Sequence, residues 1–151
     1  MKSLNKYILP FCLLFSVVLF TTNANAQCKR FTKKNCLPSL KPFTHNGKLT
    51  AAVFNPGETA DLEMTFNAGK EYRVLVCSQE LIGQVQFKVL DKTRKILFES
   101  EEGEENPFWD FKVKTTQQLI IQITVPEQED QKNRLAQLTP NGCVSIMVGF
   151  K

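Results

Sequence analysis

The chain holds one histidine, one tryptophan and two tyrosines in 151 residues. Any Ser-His-Asp or Cys-His mechanism must therefore use His45. That residue lies in Phe43-Thr44-His45-Asn46-Gly47, whose composition is that of a turn before a strand. There is no Gly-x-Ser-x-Gly to place a nucleophile on a strand-to-helix elbow. Neither Cys-x-x-Cys nor paired histidines occur, so a zinc site lacks its ligand spacing. No apolar run after Phe20 is long enough to cross a bilayer. Acid is absent from the first 57 residues, and the first carboxylate is Glu58. There is no internal repeat and no low-complexity tract.

What is present begins with an export signal. Lys2 and Lys6 form a positive leader, Ile8 to Phe20 is almost wholly apolar, and Ala24-Asn25-Ala26 supplies small residues for cleavage before Gln27. Gln27 is the wrong residue to precede a lipidated Cys28. Residues 1–26 are thus expected to be a signal peptide, leaving 125 of the 151 residues as one domain of periplasmic or extracellular destination. The net charge of +4 falls to +2 once Lys2 and Lys6 are gone, which argues against a nucleic-acid partner.

Four cysteines survive cleavage: Cys28, Cys36, Cys77 and Cys143. An even count in an exported chain predicts two disulfides, and three pairings are open. The favoured pairing is a local Cys28–Cys36 loop with a long-range Cys77–Cys143 staple.

Residues 27–46 are basic, with Lys29, Arg30, Lys33, Lys34 and Lys41, and Pro38 and Pro42 break helices. The segment is expected to be irregular and solvated, with adhesion to an anionic surface as its functional alternative. Residues 47–151 alternate as strands. Lys48 to Phe54 is the first, and Asn55-Pro56-Gly57-Glu58 then suits a type II turn. In Thr59 to Phe66, Ala60, Leu62, Met64 and Phe66 share one face. The stretch Met64 to Cys77 is expected to be a β-hairpin about Asn67-Ala68-Gly69-Lys70, and the fold to be organised on it. Val85 to Val89, Lys95 to Ser100, Phe108 to Lys114, Leu119 to Val125 and Val144 to Phe150 continue the series. Residues 128–138 allow a short helix. About eight short strands with turn residues between them predict an all-β antiparallel β-sandwich, jelly-roll-like, with a closed barrel as the alternative.

The candidate sites are few. Glu99, Glu101, Glu102, Glu104 and Glu105 form an acidic loop that could offer oxygen ligands to Ca²⁺, although it lacks the spacing and fixed glycine of a calcium loop. No other cofactor is implied. In Phe108-Trp109-Asp110-Phe111, an exposed Trp109 could stack on a sugar ring while Asp110 or Glu105 accepts hydroxyl hydrogen bonds. A buried Trp109 would instead fill the core, which is the favoured expectation.

The order Pro56-Gly57-Glu58, Ala68-Gly69-Lys70-Glu71-Tyr72-Arg73-Val74 and the Val85 to Asp91 segment resembles the bacterial pre-peptidase C-terminal domain. The resemblance spans residues 47–150 and departs from the family in the cysteines and the Glu-rich loop. It implies a jelly-roll-like sandwich with a non-catalytic accessory role outside the cytoplasm. The expectation is therefore a secreted, non-enzymatic sandwich that binds a glycan or a protein partner in the cell envelope. A small secreted hydrolase, or an inhibitor of one, is the alternative.

Overall fold

Two antiparallel sheets stack face to face, and a helical layer covers the outside of one of them. The computed structural model describes residues 24–127 and 141–151. Among these, nine strands follow a short helix α1 (Ala24–Phe31): β1 (Thr44–His45), β2 (Thr50–Phe54), β3 (Thr59–Phe66), β4 (Glu71–Ser78), β5 (Gln86–Leu90), β6 (Ile96–Glu99), β7 (Phe108–Lys112), β8 (Gln117–Thr124) and β9 (Gly142–Phe150). One sheet runs β1-β9-β4-β7, with β2 also paired to β9; the other runs β3-β8-β5-β6. The pairs β2·β9, β3·β8, β4·β7 and β5·β6 are nested like the rungs of one long hairpin. Wrapping that ribbon on itself, with β4·β9 and β8·β5 joining its turns, produces the jelly roll. The expected fold class is the observed one. The helix expected over residues 128–138 and nearly all of the signal sequence lie outside the described residues.

The Met64 to Cys77 stretch is not a hairpin. Its two strands belong to different sheets, and Asn67 to Lys70 is a corner between them. The corner bonds outward, to the neighbouring β7–β8 connection: Gly69 N–H donates to Val113 O at 2.8 Å and Ala68 N–H to Thr116 Oγ1 at 3.0 Å. Gly69 supplies the positive φ of 81° that the reversal needs. Phe66 and Tyr72 then meet edge to face across the interior, 5.0 Å between centroids. The corner carries the chain from one sheet to the other, so both strands turn their apolar faces into the same interior. The true in-sheet hairpin is β5–β6, closed by Asp91, whose carboxylate accepts from Thr93 N–H and Lys95 N–H.

The core follows the alternation. Phe66, Val74, Val76, Phe87, Val89, Ile121 and Ile123 are essentially inaccessible between the sheets. On that side β4 presents Tyr72, Val74 and Val76. Its opposite face, Leu75 and Cys77, is buried as well, under residues of the N-terminal segment. The same holds for β9, where Val144, Ile146 and Val148 face the core and Met147 faces outward into the second cluster.

That outer cover corrects the expected solvated arm. α1 continues through a π-helical turn, Thr32–Cys36, and a 3-10 turn, Leu37–Leu40. Cys28, Thr32, Cys36 and Leu40 are buried at a constant spacing of four, while Lys29, Arg30, Lys33 and Lys34 are exposed. The charges therefore occupy the outward face of a helix. Pro38 sits at the start of the 3-10 turn, where a missing N–H costs nothing, so it does not break the run.

The disulfide is also not the one expected. Cys28 is bonded to Cys143 across 115 residues of sequence, while Cys36 and Cys77 are buried free thiols. A Cys28–Cys36 bridge is incompatible with a helical run, because i and i+8 lie about 12 Å apart along its axis.

Candidate interaction groove

The connections β2–β3, β4–β5 and β6–β7 gather at one end of the sandwich, where β9 also begins. A groove of about 730 Å³ opens there between three walls. The first is the helical run, through Phe31 and Asn35. The second is the β4–β5 connection, Ser78 to Val85, which includes the 3-10 turn Glu80–Ile82. The third is the acidic loop, through Glu104, Glu105, Asn106 and Pro107.

Each wall is fixed by hydrogen bonds. Gln79 holds the start of β9 twice, its N–H donating to Cys143 O at 3.0 Å and its Oε1 accepting from Cys143 N–H at 2.8 Å. Ser78 Oγ donates to Gly83 O at 2.9 Å and closes the 3-10 turn. The acidic loop is pinned at both ends. Ser100 exchanges bonds with Phe87, N–H to O at 2.9 Å and Oγ accepting N–H at 3.0 Å, and Val76 N–H donates to Pro107 O at 2.9 Å. Between these pins Gly103 (φ 85°) and Asn106 (φ 52°) take the left-handed turns that glycine and asparagine tolerate best.

The lining carries three carboxylates, Glu80, Glu104 and Glu105, and no lysine or arginine. Side-chain amides and apolar groups alternate with them, and Leu81 is 61% exposed. A concavity of one charge sign with apolar patches suits a polypeptide that brings cationic side chains. Among the described residues, no three His, Cys, Asp or Glu side chains are gathered as a metal ion would require.

The sugar-platform residues are not brought together. Glu105 is exposed on the groove. Trp109 is half-buried on the inner face of β7, stacked on Phe98 at 5.5 Å and on Phe111 at 4.2 Å. Asp110 projects from the opposite face of β7, where both its oxygens accept from Arg73 at 2.7 Å. That pairing holds the Arg73 guanidinium more firmly protonated than usual. Arg73 also donates to Lys41 O at 2.9 Å and lies over the rings of Phe43 (4.7 Å) and Phe108 (4.3 Å). Asp110 thus helps clamp the N-terminal segment onto the sheet.

His45 belongs to β1, opposite Gly149. Six residue steps along β9 separate that point from Cys143 beside the groove, roughly 20 Å of strand. The groove residues from the helical run, Phe31 and Asn35, carried no signal while the segment was expected to be irregular. The four-residue spacing of Cys28, Thr32 and Cys36 contains that signal.

No family model and no curated protein matches the sequence. Among solved structures, the fold is similar to the Aeromonas hydrophila protein PliG, a periplasmic lysozyme inhibitor of g-type lysozyme, with a TM-score of 0.50 and 11% identity over 74% of this chain and 90% of that one. A de novo designed double-stranded β-helix aligns with a TM-score of 0.33 and 16% identity over 69% of this chain and 99% of the design. The likeness to PliG is one of fold, an all-β sandwich.

Proposed function

We propose that this protein is a secreted, non-enzymatic binding protein that docks a basic protein through the acidic groove, and that it acts as an inhibitor of a glycan-cleaving hydrolase outside the cytoplasm. The observation that carries the reading is the groove itself: three carboxylates and exposed apolar surface on walls fixed by hydrogen bonds and a disulfide. Rigid walls reduce the ordering cost of binding a protein. The buried Cys28–Cys143 bond supports an oxidising compartment. The fold likeness to PliG supports the choice of a lysozyme-type hydrolase as the first partner to test. The single histidine lies far from the groove, which argues against a histidine-dependent mechanism there.

The test is titration of the mature, oxidised protein into a panel of lysozymes of different types, read by calorimetry and by lysis of a bacterial cell-wall suspension. Binding and inhibition of at least one enzyme are expected, with affinity reduced ten-fold or more by Glu104→Lys combined with Glu105→Lys. His45→Ala should leave both readouts unchanged. Absence of binding across the panel, or full inhibition by the charge-reversed variant, would remove this reading.

A further inference from the structure

The helical run meets the outer face of the sheet along one row of contacts. Cys28 is bonded to Cys143. One turn on, Thr32 Oγ1 is hydrogen-bonded to Ser145 Oγ and donates to Cys28 O. Cys36 follows at the same spacing and is fully buried in one cluster with Cys77, Leu75 and Met147. Cys77 is the β4 residue paired directly with Ser145. Residues 28, 32 and 36, four apart on a helix, thus track Cys143, Ser145 and the Cys77–Met147 region on adjacent strands. Cys36 and Cys77 are both free thiols, buried side by side in that one cluster.

We propose that Cys36 and Cys77 are the site of a second disulfide, formed on export, which ties the far end of the helical run to β4. The oxidant is a disulfide, carried by an oxidoreductase or a small thiol compound. One cysteine thiolate attacks the donor's sulfur–sulfur bond, and the departing donor sulfur takes up a proton. The second thiolate then displaces the donor from the mixed disulfide. Overall two thiols lose two protons and two electrons, one sulfur–sulfur bond forms, and the donor's two sulfurs leave as thiols.

The surroundings set the order of events. In the folded reduced protein the Cys77 thiol is pushed far up from its ordinary value, first by the hydrogen bond with Cys36 and then by burial. A thiol held protonated and inaccessible does not exchange. The bond therefore forms before the helical run docks, and docking then seals it. The consequence reaches the groove: Phe31 and Asn35, which form one wall, lie between the two covalent ties at Cys28 and Cys36.

The experiment uses wild-type mature protein recovered from an oxidising compartment. It is unfolded in denaturant with N-ethylmaleimide and no reductant, then weighed and mapped by peptide mass spectrometry. The expected result is no alkylation and a cross-linked peptide joining the Cys36 and Cys77 segments, alongside one joining Cys28 and Cys143. Maleimide on both Cys36 and Cys77, or a bridge of any other connectivity, overturns the proposal. The double variant Cys36→Ser with Cys77→Ser retains the first disulfide. It should fold and melt at a lower temperature than the oxidised wild type, and an unchanged melting temperature counts against a formed bond.

Discussion

The hydroxyl pair under the helical run is asymmetric. Thr32 Oγ1 donates its proton to Cys28 O, so the bond between the two hydroxyls is donated by Ser145. Both residues are fully buried. Thr32→Val leaves the Ser145 hydroxyl without its acceptor in an apolar cluster, and a destabilisation of about 1–3 kcal/mol is expected. Ser145→Ala leaves Thr32 still bonded to Cys28 O and should cost less. Urea unfolding of both variants decides it; equal losses would mean the proton is arranged otherwise. Cys77 makes a second prediction at this scale. Its neighbours Cys36, Leu40, Phe43, Leu75 and Met147 carry no charge. Its raised folded-state value means that stability is fully present below the ordinary thiol value of 9.0 and is lost as pH rises above it, because the unfolded thiol ionises and the folded one does not. With Cys28–Cys143 intact, protein holding Cys36 and Cys77 as thiols should therefore lose stability above pH 9.0 faster than protein oxidised at Cys36–Cys77, by denaturant titration at each pH. Parallel curves would contradict the burial of this thiol.

At the scale of elements, the docking of the helical run depends on a close approach to β9. A Cβ placed on Gly149 would lie 2.7 Å from Phe43 Cβ and 3.0 Å from Leu40 Cγ. Gly149→Ala is expected to destabilise by about 1–3 kcal/mol through overpacking, with the loss seen first as protease cleavage near residues 27–43. Retained stability and protection would show that the run can shift without cost. The strands themselves were legible in the sequence: β3 has its expected bounds, and β5, β8 and β9 lie within a residue or two of theirs. Alternation is a local signal and survives without knowledge of partners. Partnership is not local. Asn67-Ala68-Gly69-Lys70 has the chemistry of a reversal whether the next strand lies beside the last or across the core, and Val113 and Thr116, which settle the matter by bonding the corner, are over 40 residues away. The helical run was hidden for a different reason: its basic residues and prolines outweighed a four-residue spacing of two cysteines and a threonine, none of which marks a helix face by itself. Of the candidate site, the acidic loop was visible as composition. Its opposing wall was not, since Phe31 and Asn35 reach it only through the fold.

At the scale of the whole molecule, the two sheets are closed along one side by aromatic rings. Phe98 on edge strand β6 stacks on Trp109 of edge strand β7, and the chain of rings continues through Phe111 to Phe66 and Tyr72. Charge is unevenly spread over the two ends. Glu80, Glu104 and Glu105 line the groove at one end, while Lys70, Lys112, Lys114 and Lys151 surround a depression at the other, where Glu71 pairs with Lys112 and Lys151. The groove carboxylates attract a basic protein before contact, against the exposed Lys29, Arg30, Lys33 and Lys34 on the outer side of the helical wall, so the electrostatic contribution belongs chiefly to the encounter rate. Screening then gives the last prediction. Between about 0.1 M and 1 M salt the Debye length shrinks from ~10 Å to ~3 Å. The association rate with a basic partner should fall ten-fold or more over that range, measured by stopped-flow with Trp109 or a label on the partner as reporter. The dissociation rate should change far less, because it depends on the apolar and hydrogen-bonded contacts already made in the groove. Charge reversal at Glu104 and Glu105 should flatten the salt dependence. If the rates respond to salt equally with and without those glutamates, the acidic end does not steer the encounter, and the complex forms on another face.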